Sequence, residues 1–388
     1  MAEGEPGTGS GTSTPYGAGQ RFLVLSSFHD YRSPRRAGLH SIADELARRG
    51  PTRFFSLRYS KLSRRTGDPR RSLEARANAV ESHRGVECFL WKTPVHPFHT
   101  RLRTLDGLES LIYDLYRRLA PSVLRDWVRD SDTVIIESGI GPLFFDLIQG
   151  LNPQARLIYR ASDDLATINV APCVHRAFRR AAPRFSSMAL ASPRLASNLP
   201  DTTNAYYIPH GVDPALAELG DPSPYEDGPN AVSVGSMLFD PHLIVEVSRR
   251  FPEVRFHLIG SGQGRHPGYG DNVTVYEEMP HEEALRYIKH ADIGVAPYNQ
   301  QAPAYLAESS HKLMQYDFFG LSAVCPHSVV GCGGNRYGFE PGDYDSAAAA
   351  IRGALRAPRR AGQRHLAWAE VVDRLLAPQH FPDTSLSL

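Results

Sequence analysis

An α/β chain of two parallel-sheet domains facing each other across a cleft is the fold this sequence predicts, on three observations. Short β-rich runs alternate with helical stretches. The alternation stops at a loop rich in Pro, Gly and Asp (G-D-P-S-P-Y-E-D-G-P-N) and then begins again. A chain of 388 residues is too long for one ordinary core and suits two domains. An apolar content of 41% and a charged content of 22% belong to a globular chain. The net charge of +1 says nothing by itself of nucleic acid, and no nucleic-acid partner is expected.

Taken in order, residues 1–20 are mostly Gly, Ser, Thr and Pro; they cannot bury a core and are expected to be disordered. Strands are predicted at Phe22–Ser26, Arg53–Leu57, Val86–Trp91, Thr133–Glu137, Arg156–Tyr159 and Met188–Ala191, with helices at Ala37–Arg49 and Leu105–Val128 between them. This is the first domain, 21–210. The second, 211–362, has predicted strands at Ala231–Val234, Val254–Ile259, Val273–Tyr276, Ile293–Ala296 and Ala323–Cys325. Its helices are predicted at Pro241–Arg250, Glu282–His290 and Glu308–Phe319. The segment 363–388 contains an amphipathic stretch, His365–Leu376, expected to pack back on the first domain. Four dispersed cysteines form no C-x-x-C pair, which fits a reducing, cytoplasmic setting. Neither a signal peptide nor an apolar run of spanning length is visible, so any membrane contact is expected to be peripheral.

Ligands of open parallel sheets sit beyond the carboxyl ends of the strands. Asp163 and Asp164 stand there, just after Arg156–Tyr159. A solvated acidic turn and an acid placed against a ligand are both open on spacing alone, and spacing does not choose between the two residues. In the second domain, the stretch from Gly260 to Gly270 is a glycine-rich loop after a strand, without the spacing of a dinucleotide fingerprint or a P-loop. The run A-P-Y-N-Q-Q-A-P-A-Y-L-A-E-S-S-H-K-L-M-Q-Y-D-F-F-G is more informative. It places Lys312 in the first turn of a helix opening at Ser309-Ser310. The helix dipole disfavours a cation there unless an anion such as a diphosphate lies between them, and that conflict favours a bound anion over a snorkelling surface lysine.

S-S-H-K-L-M-Q-Y-D-F-F-G-L-S-A-V-C-P resembles the nucleotide-sugar segment of GT-B glycosyltransferases. With Y-R-A-S-D, T-I-N-V-A, H-G-V-D, V-G-S-M-L-F-D-P and I-G-S-G-Q-G-R-H-P-G-Y-G-D-N-V, the chain is similar to the GumK-type membrane-associated glucuronosyltransferases of xanthan assembly, from about Phe22 to Pro382. The resemblance implies a GT-B fold of two facing Rossmann-like domains. It implies Asp163 as catalytic base, with Met237, Glu278, Tyr298, Ser310, Lys312 and Gln315 lining a UDP site and Asp213 and Asp240 as further acids of the cleft. His311 stands where the family carries a methionine.

The implied reaction is inverting transfer of glucuronate from UDP-glucuronate to a mannose hydroxyl of a polyprenyl-diphosphate-linked oligosaccharide. Its place would be the cytoplasmic face of the bacterial inner membrane. Burial and the neighbouring Asp164 would raise the pKa of Asp163 toward that of a working base. Lys312 would stabilise the departing diphosphate, Glu278 would hold ribose hydroxyls, and Arg265 would pair with the glucuronate carboxylate.

Neither D-x-D stretch is read as a metal site. Asp130-Ser131-Asp132 precedes its strand and Asp343-Tyr344-Asp345 suits a helix cap, so no metal or other cofactor is expected. Glu308 has Tyr316 eight residues on, so the Glu-x7-Glu signature of many retaining enzymes is missing. Between Arg32 and Arg71 twelve basic residues face three acids. Arg32, Arg35, Arg36, Arg58, Lys61, Arg64 and Arg65 are therefore expected to grip an anionic membrane surface, with an ordinary solvated basic face as the alternative. Another UDP-hexose donor, a UDP-sugar 2-epimerase and a UDP-sugar-binding membrane scaffold are the competing readings of the whole chain.

Overall fold

The computed structural model describes residues 15–34, 36–64, 68–200, 204–218, 222–226, 228–300 and 302–386. Among them the first domain is built on β1 (Phe22–Ser26), β2 (Thr52–Ser60), β3 (Glu81–His83), β4 (Val86–Thr93), β5 (Thr133–Glu137), β6 (Arg156–Ala161), β7 (Ser187–Leu190) and β8 (Ala205–Tyr207). They form one sheet in the order β3-β4-β2-β1-β5-β6-β7-β8, parallel except for the β3–β4 hairpin. The second sheet takes β9 (Asn230–Val234), β10 (Arg255–Ile259), β11 (Val273–Tyr276), β12 (Ile293–Val295), β13 (Ser322–Pro326) and β14 (Arg336–Phe339) in the order β11-β10-β9-β12-β13-β14, all parallel.

Both sheets are doubly wound. The chain starts in the middle, runs to one edge, then returns to build the other half. The reversal falls between β1 and β5 in the first sheet and between β9 and β12 in the second. A sheet covered on both faces needs strands apolar throughout, and F-L-V-L-S and T-V-I-I-E are buried at every position. Each large side chain fully buried there contributes about 1.5–3 kcal/mol.

Two predicted helices are divided. Leu105–Val128 is two helices, Asp106–Arg118 and Ser122–Arg129, because Pro121 has no N–H to continue the ladder and instead precedes the second helix as its N-cap. Glu308–Phe319 is Leu306–Ser309 followed by His311–Phe318. The break is Ser310, whose extended backbone and side-chain oxygen cap the second piece. Strands β3, β8 and β14 have no counterpart among the predicted ones. They are three or four residues long and lie at or next to sheet edges, where few apolar positions are needed.

From the last long helix of the second domain, Tyr344–Arg356, the chain returns past Val212, which bridges Ala367. Helix Trp368–Leu376 then lies on helix Gly38–Ala47 of the first domain. Val371, Val372, Leu375 and Leu376 share a core with Leu39, Ile42 and Phe22, and Arg49 pairs with Asp373 at 2.7 Å.

Candidate active site

The carboxyl ends of β5 and β6 assemble one half of the site. Ser138 follows Glu137 at the end of β5, and its hydroxyl accepts the backbone N–H groups of Ser162 (3.2 Å) and Asp163 (3.1 Å). This fixes the turn that presents Asp163. Burial is the main cause that pushes the Asp163 carboxyl up, to about 6, and the nearby Glu137 and Asp164 charges push the same way. The Tyr305 hydroxyl donates to Asp163 Oδ1 at 3.3 Å and pulls in the other direction. Glu137 is itself raised to about 7 by burial, against the hydrogen bond from Ser26 (2.7 Å). Asp164 is differently placed. Its oxygens accept from Ala166 N–H and from Asn198 Nδ2, both at 3.2 Å, so it caps the turn. Geometry thus separates the pair that spacing left open.

The second half lies at the carboxyl ends of β9 and β12. Lys312 is only 8% exposed, with Nζ 3.5 Å from Ser233 Oγ and 5.0 Å from the centre of the Tyr298 ring. Among the described residues no carboxylate bonds it, and burial lowers its pKa to about 7. Tyr298 and Ser310 share a hydroxyl–hydroxyl hydrogen bond at 2.7 Å, and Ser310 Oγ accepts the Leu313 N–H. Gln315 stands one helical turn beyond Lys312 on the same face. Met237 is exposed beyond β9. Glu278 is exposed after β11, its Cα beside Gly260. Gly260 and Gly262 have φ of +59° and +72°, which bends the loop back from β10 at little steric cost.

Contacts cross directly between the domains. Besides Tyr305 with Asp163, Glu308 accepts from Ser192 (2.7 Å) and Arg194 (3.3 Å). The rings of His210 and His311 lie 4.2 Å apart, both held neutral by burial. Arg160, fully buried, donates to the Ile208 carbonyl at 2.5 Å and so ties β6 to the interdomain crossing.

Several sequence expectations are corrected. Arg265 does not present its guanidinium to a ligand, since it donates to the carbonyls of Val273 and Gly270 and stitches the glycine loop shut. Asp240 also serves as N-cap for Pro241–Arg250 and Asp213 also caps the turn at Ala215 (3.0 Å), neither of which bears against their expected place in the cleft. The basic segment is not a free cationic face. Arg32 is buried against Asp30 (2.9 Å) and Glu81 (2.6 Å), and Arg36 pairs with Asp44. Arg58 folds over Phe28, and burial lowers its pKa. Lys61 is exposed and Arg64 ends its short turn, whereas Arg35 and Arg65 lie outside the described residues. Asp343 caps its helix as expected, and Asp130 and Asp132 are taken by Arg21. Among the described residues no three His, Cys, Asp or Glu side chains gather as metal ligands.

Sequence reasoning missed Glu137, Ser138 and Tyr305. The first two could have been found by asking what ends every parallel strand, as was done for Asp163. Tyr305 had no such signal, because only the meeting of the domains gives it a role.

Two doubly wound domains with facing strand ends define the GT-B class of glycosyltransferases. Solved structures agree at the level of fold. Anabaena HepE in complex with UDP and glucose has a TM-score of 0.59 at 14% identity, covering 92% of this chain and 94% of that one. An α,α-trehalose-phosphate synthase (UDP-forming) from Burkholderia xenovorans in complex with glucose-6-phosphate has a TM-score of 0.56 at 12% identity, covering 92% and 96%.

The N-terminal domain model of glucuronosyltransferase GumK matches residues 24–191. The UDP-glucuronate:glycolipid 2-beta-glucuronosyltransferase of Xanthomonas campestris pv. campestris is 54% identical over 366 residues, covering 94% of this chain and 91% of the relative. The chain belongs to the GumK glucuronosyltransferase family.

Proposed function

We propose that the protein transfers glucuronate from UDP-glucuronate to a sugar hydroxyl of a glycolipid, with inversion at the anomeric carbon and without a metal. The observation that carries this reading is the 54% identity, along nearly the whole chain, to a transferase named for that donor and that acceptor class. By the motifs read above, the acceptor is a mannose hydroxyl of a polyprenyl-diphosphate-linked oligosaccharide used in exopolysaccharide assembly. The protein would act peripherally at the cytoplasmic face of the inner membrane. In support, no helix among the described residues is long and apolar enough to cross a membrane.

Asp163 takes the proton of the attacking hydroxyl. With its pKa raised to about 6 it is ionised at neutral pH yet basic enough to accept a proton in the transition state. The hydroxyl oxygen forms its bond to the anomeric carbon as the bond to the diphosphate oxygen breaks. Lys312, buried and without a carboxylate partner among the described residues, gives that diphosphate its cation, and the N-terminus of His311–Phe318 adds its dipole. Glu278, Tyr298, Ser310 and Gln315 surround the nucleotide, with Met237 at the rim.

The test is transfer to a short-chain mannosyl glycolipid from UDP-glucuronate, UDP-glucose and UDP-galacturonate, each with EDTA present. Product from UDP-glucuronate alone is expected. Product from another donor in its place would remove the glucuronate assignment, and dependence on added metal would remove the metal-free mechanism. UDP binding with no transfer from any donor would favour a scaffold.

A further inference from the structure

We infer that the outer face of helix Asp106–Arg118 is the surface on which the protein lies against an anionic bilayer, an inference that rests on the glycolipid acceptor proposed above. Of the eleven large hydrophobic side chains exposed among the described residues, eight fall between Val95 and Leu119. Such clustering marks an interaction surface rather than scattered exposure. On the helix, Leu108, Leu111, Ile112 and Leu115, with Leu119 just beyond its end, are 43% to 65% exposed. Their spacing of three, four, seven and eleven from Leu108 lines them along one stripe about 100° wide. Phe98, on the loop entering the helix, extends the patch.

The stripe is no frayed core face, because the helix has a separate inner side that is fully used. Tyr116 stacks on Trp91 with centroids 4.2 Å apart. Buried Glu109 accepts from the Thr100 N–H (2.6 Å) and from His99 (2.9 Å). At thirteen residues the helix is too short to span a bilayer and suited to lying in its surface.

Charge favours lipid head groups over an apolar protein partner. Arg118, 72% exposed and paired with Asp114 at 2.7 Å, borders the stripe. Behind it an open cavity of about 210 Å³ separates this helix from helix Pro172–Ala181, whose Arg176 and Arg180 reach it from the far wall. Arg176 donates to Ser110 Oγ at 2.7 Å, and Arg180 has no ion pair among the described residues. An apolar stripe flanked by such arginines matches a surface of apolar chains below anionic head groups. The patch also lies close to the chemistry. Arg101 Nε is 3.0 Å from the side-chain amide of Asn169, in the turn that follows Asp163. A lipid-anchored acceptor held in that bilayer would present its sugars to the base.

The experiment is co-sedimentation of the full chain with phosphatidylcholine vesicles, with and without phosphatidylglycerol, for wild type and for Leu111→Asp/Leu115→Asp. Both leucines are exposed, so the core is untouched. Wild type is expected to partition onto the anionic vesicles, and the double variant to lose at least roughly tenfold in partition. A single Leu111→Trp is expected to shift its emission to the blue on the same vesicles. Equal partition of wild type and double variant, or an unshifted Leu111→Trp, would overturn the inference. So would a wild type that ignores vesicles but forms a dimer broken by the double variant, which would give the face to a second copy. Transfer to a short-chain, water-soluble acceptor is measured in parallel. Its failure in wild type would strike the proposed reaction, while the vesicle result would still decide the surface.

Discussion

Asp163 and Lys312 stand at matching places in the two domains, beyond the ends of parallel strands, and burial acts on each by disfavouring its charge. Their surroundings differ. Asp163 has two further carboxylates near it and one phenolic hydroxyl from the other domain, and its pKa rises to about 6. Lys312 has a serine hydroxyl and an aromatic face but, among the described residues, no carboxylate, and its pKa falls to about 7. A lysine kept for structure would be paired within the protein. This one is left short of an anion, and the acid is left short of a positive partner. On the proposed mechanism the first domain receives a proton and the second receives negative charge. Inverting transfer from a nucleoside diphosphate sugar needs that division of labour.

The largest expected effect separates the two roles. Asp163→Asn should lower kcat by roughly 10²- to 10⁴-fold with UDP affinity unchanged, read by steady-state transfer and by calorimetric titration of UDP. Lys312→Met should instead weaken UDP binding and lower kcat/KM by roughly 10²- to 10³-fold. If both variants lost UDP affinity equally, the comparison would collapse.

The pH profile sharpens it further. On the proposed mechanism activity requires Asp163 ionised and Lys312 protonated, so kcat/KM should rise through about 6 and fall above about 7. Bound diphosphate favours the lysine cation, so the upper limb of kcat should lie at higher pH than that of kcat/KM. Coincident upper limbs would remove Lys312 from the diphosphate.

Smaller effects belong to the neighbours of Asp163. Tyr305→Phe removes a hydrogen bond to the ionised carboxylate and should move the lower limb up by roughly half to one pH unit. Glu137→Gln replaces an acid that is mostly protonated where Asp163 titrates, so it should move the lower limb down only slightly, the smallest shift of the set. The Glu137 variant also has a stability signature. Its folded pKa of about 7 lies above the ordinary 4.5, so the fold favours the protonated acid. The wild-type contribution is therefore full at low pH and is lost as pH rises through about 7. The melting temperature of Glu137→Gln should gain on wild type between about pH 4.5 and 7 and hold level above that, and a difference constant across that window would contradict the buried-acid reading.

Much of the fold was legible because parallel strands covered on both faces must be apolar throughout. Phe22–Ser26, Thr133–Glu137 and Val273–Tyr276 lie where the sequence predicts them. Helix Leu105–Val128 was misread because apolar periodicity continues across Pro121, and only the missing N–H breaks it. At the site, Lys312 announces itself by a local conflict with the helix dipole, whereas Asp163 and Asp164 stand out only by their place beyond a strand end, and spacing leaves the choice between them open. Arg265 and the basic segment mislead for a common reason. A charge counted along the chain has no visible partner, and the partners of Arg32, Arg49 and Arg53 include Glu81, Asp373, Glu87 and Asp130, which are distant in sequence. The apolar stripe on Asp106–Arg118 was hidden likewise, because sequence shows that a helix is amphipathic but not which of its faces the core has already taken.

The measurement closest to the central claim is single-turnover transfer from UDP-glucuronate to a short-chain mannosyl glycolipid, by wild type and Asp163→Asn preloaded with donor, across pH 5 to 8. The account predicts a wild-type rate that rises through about pH 6 to a plateau, and a variant rate that is at least roughly a hundredfold lower and flat. A variant that retained the wild-type rate, or the same rise through pH 6, would show that another group takes the proton.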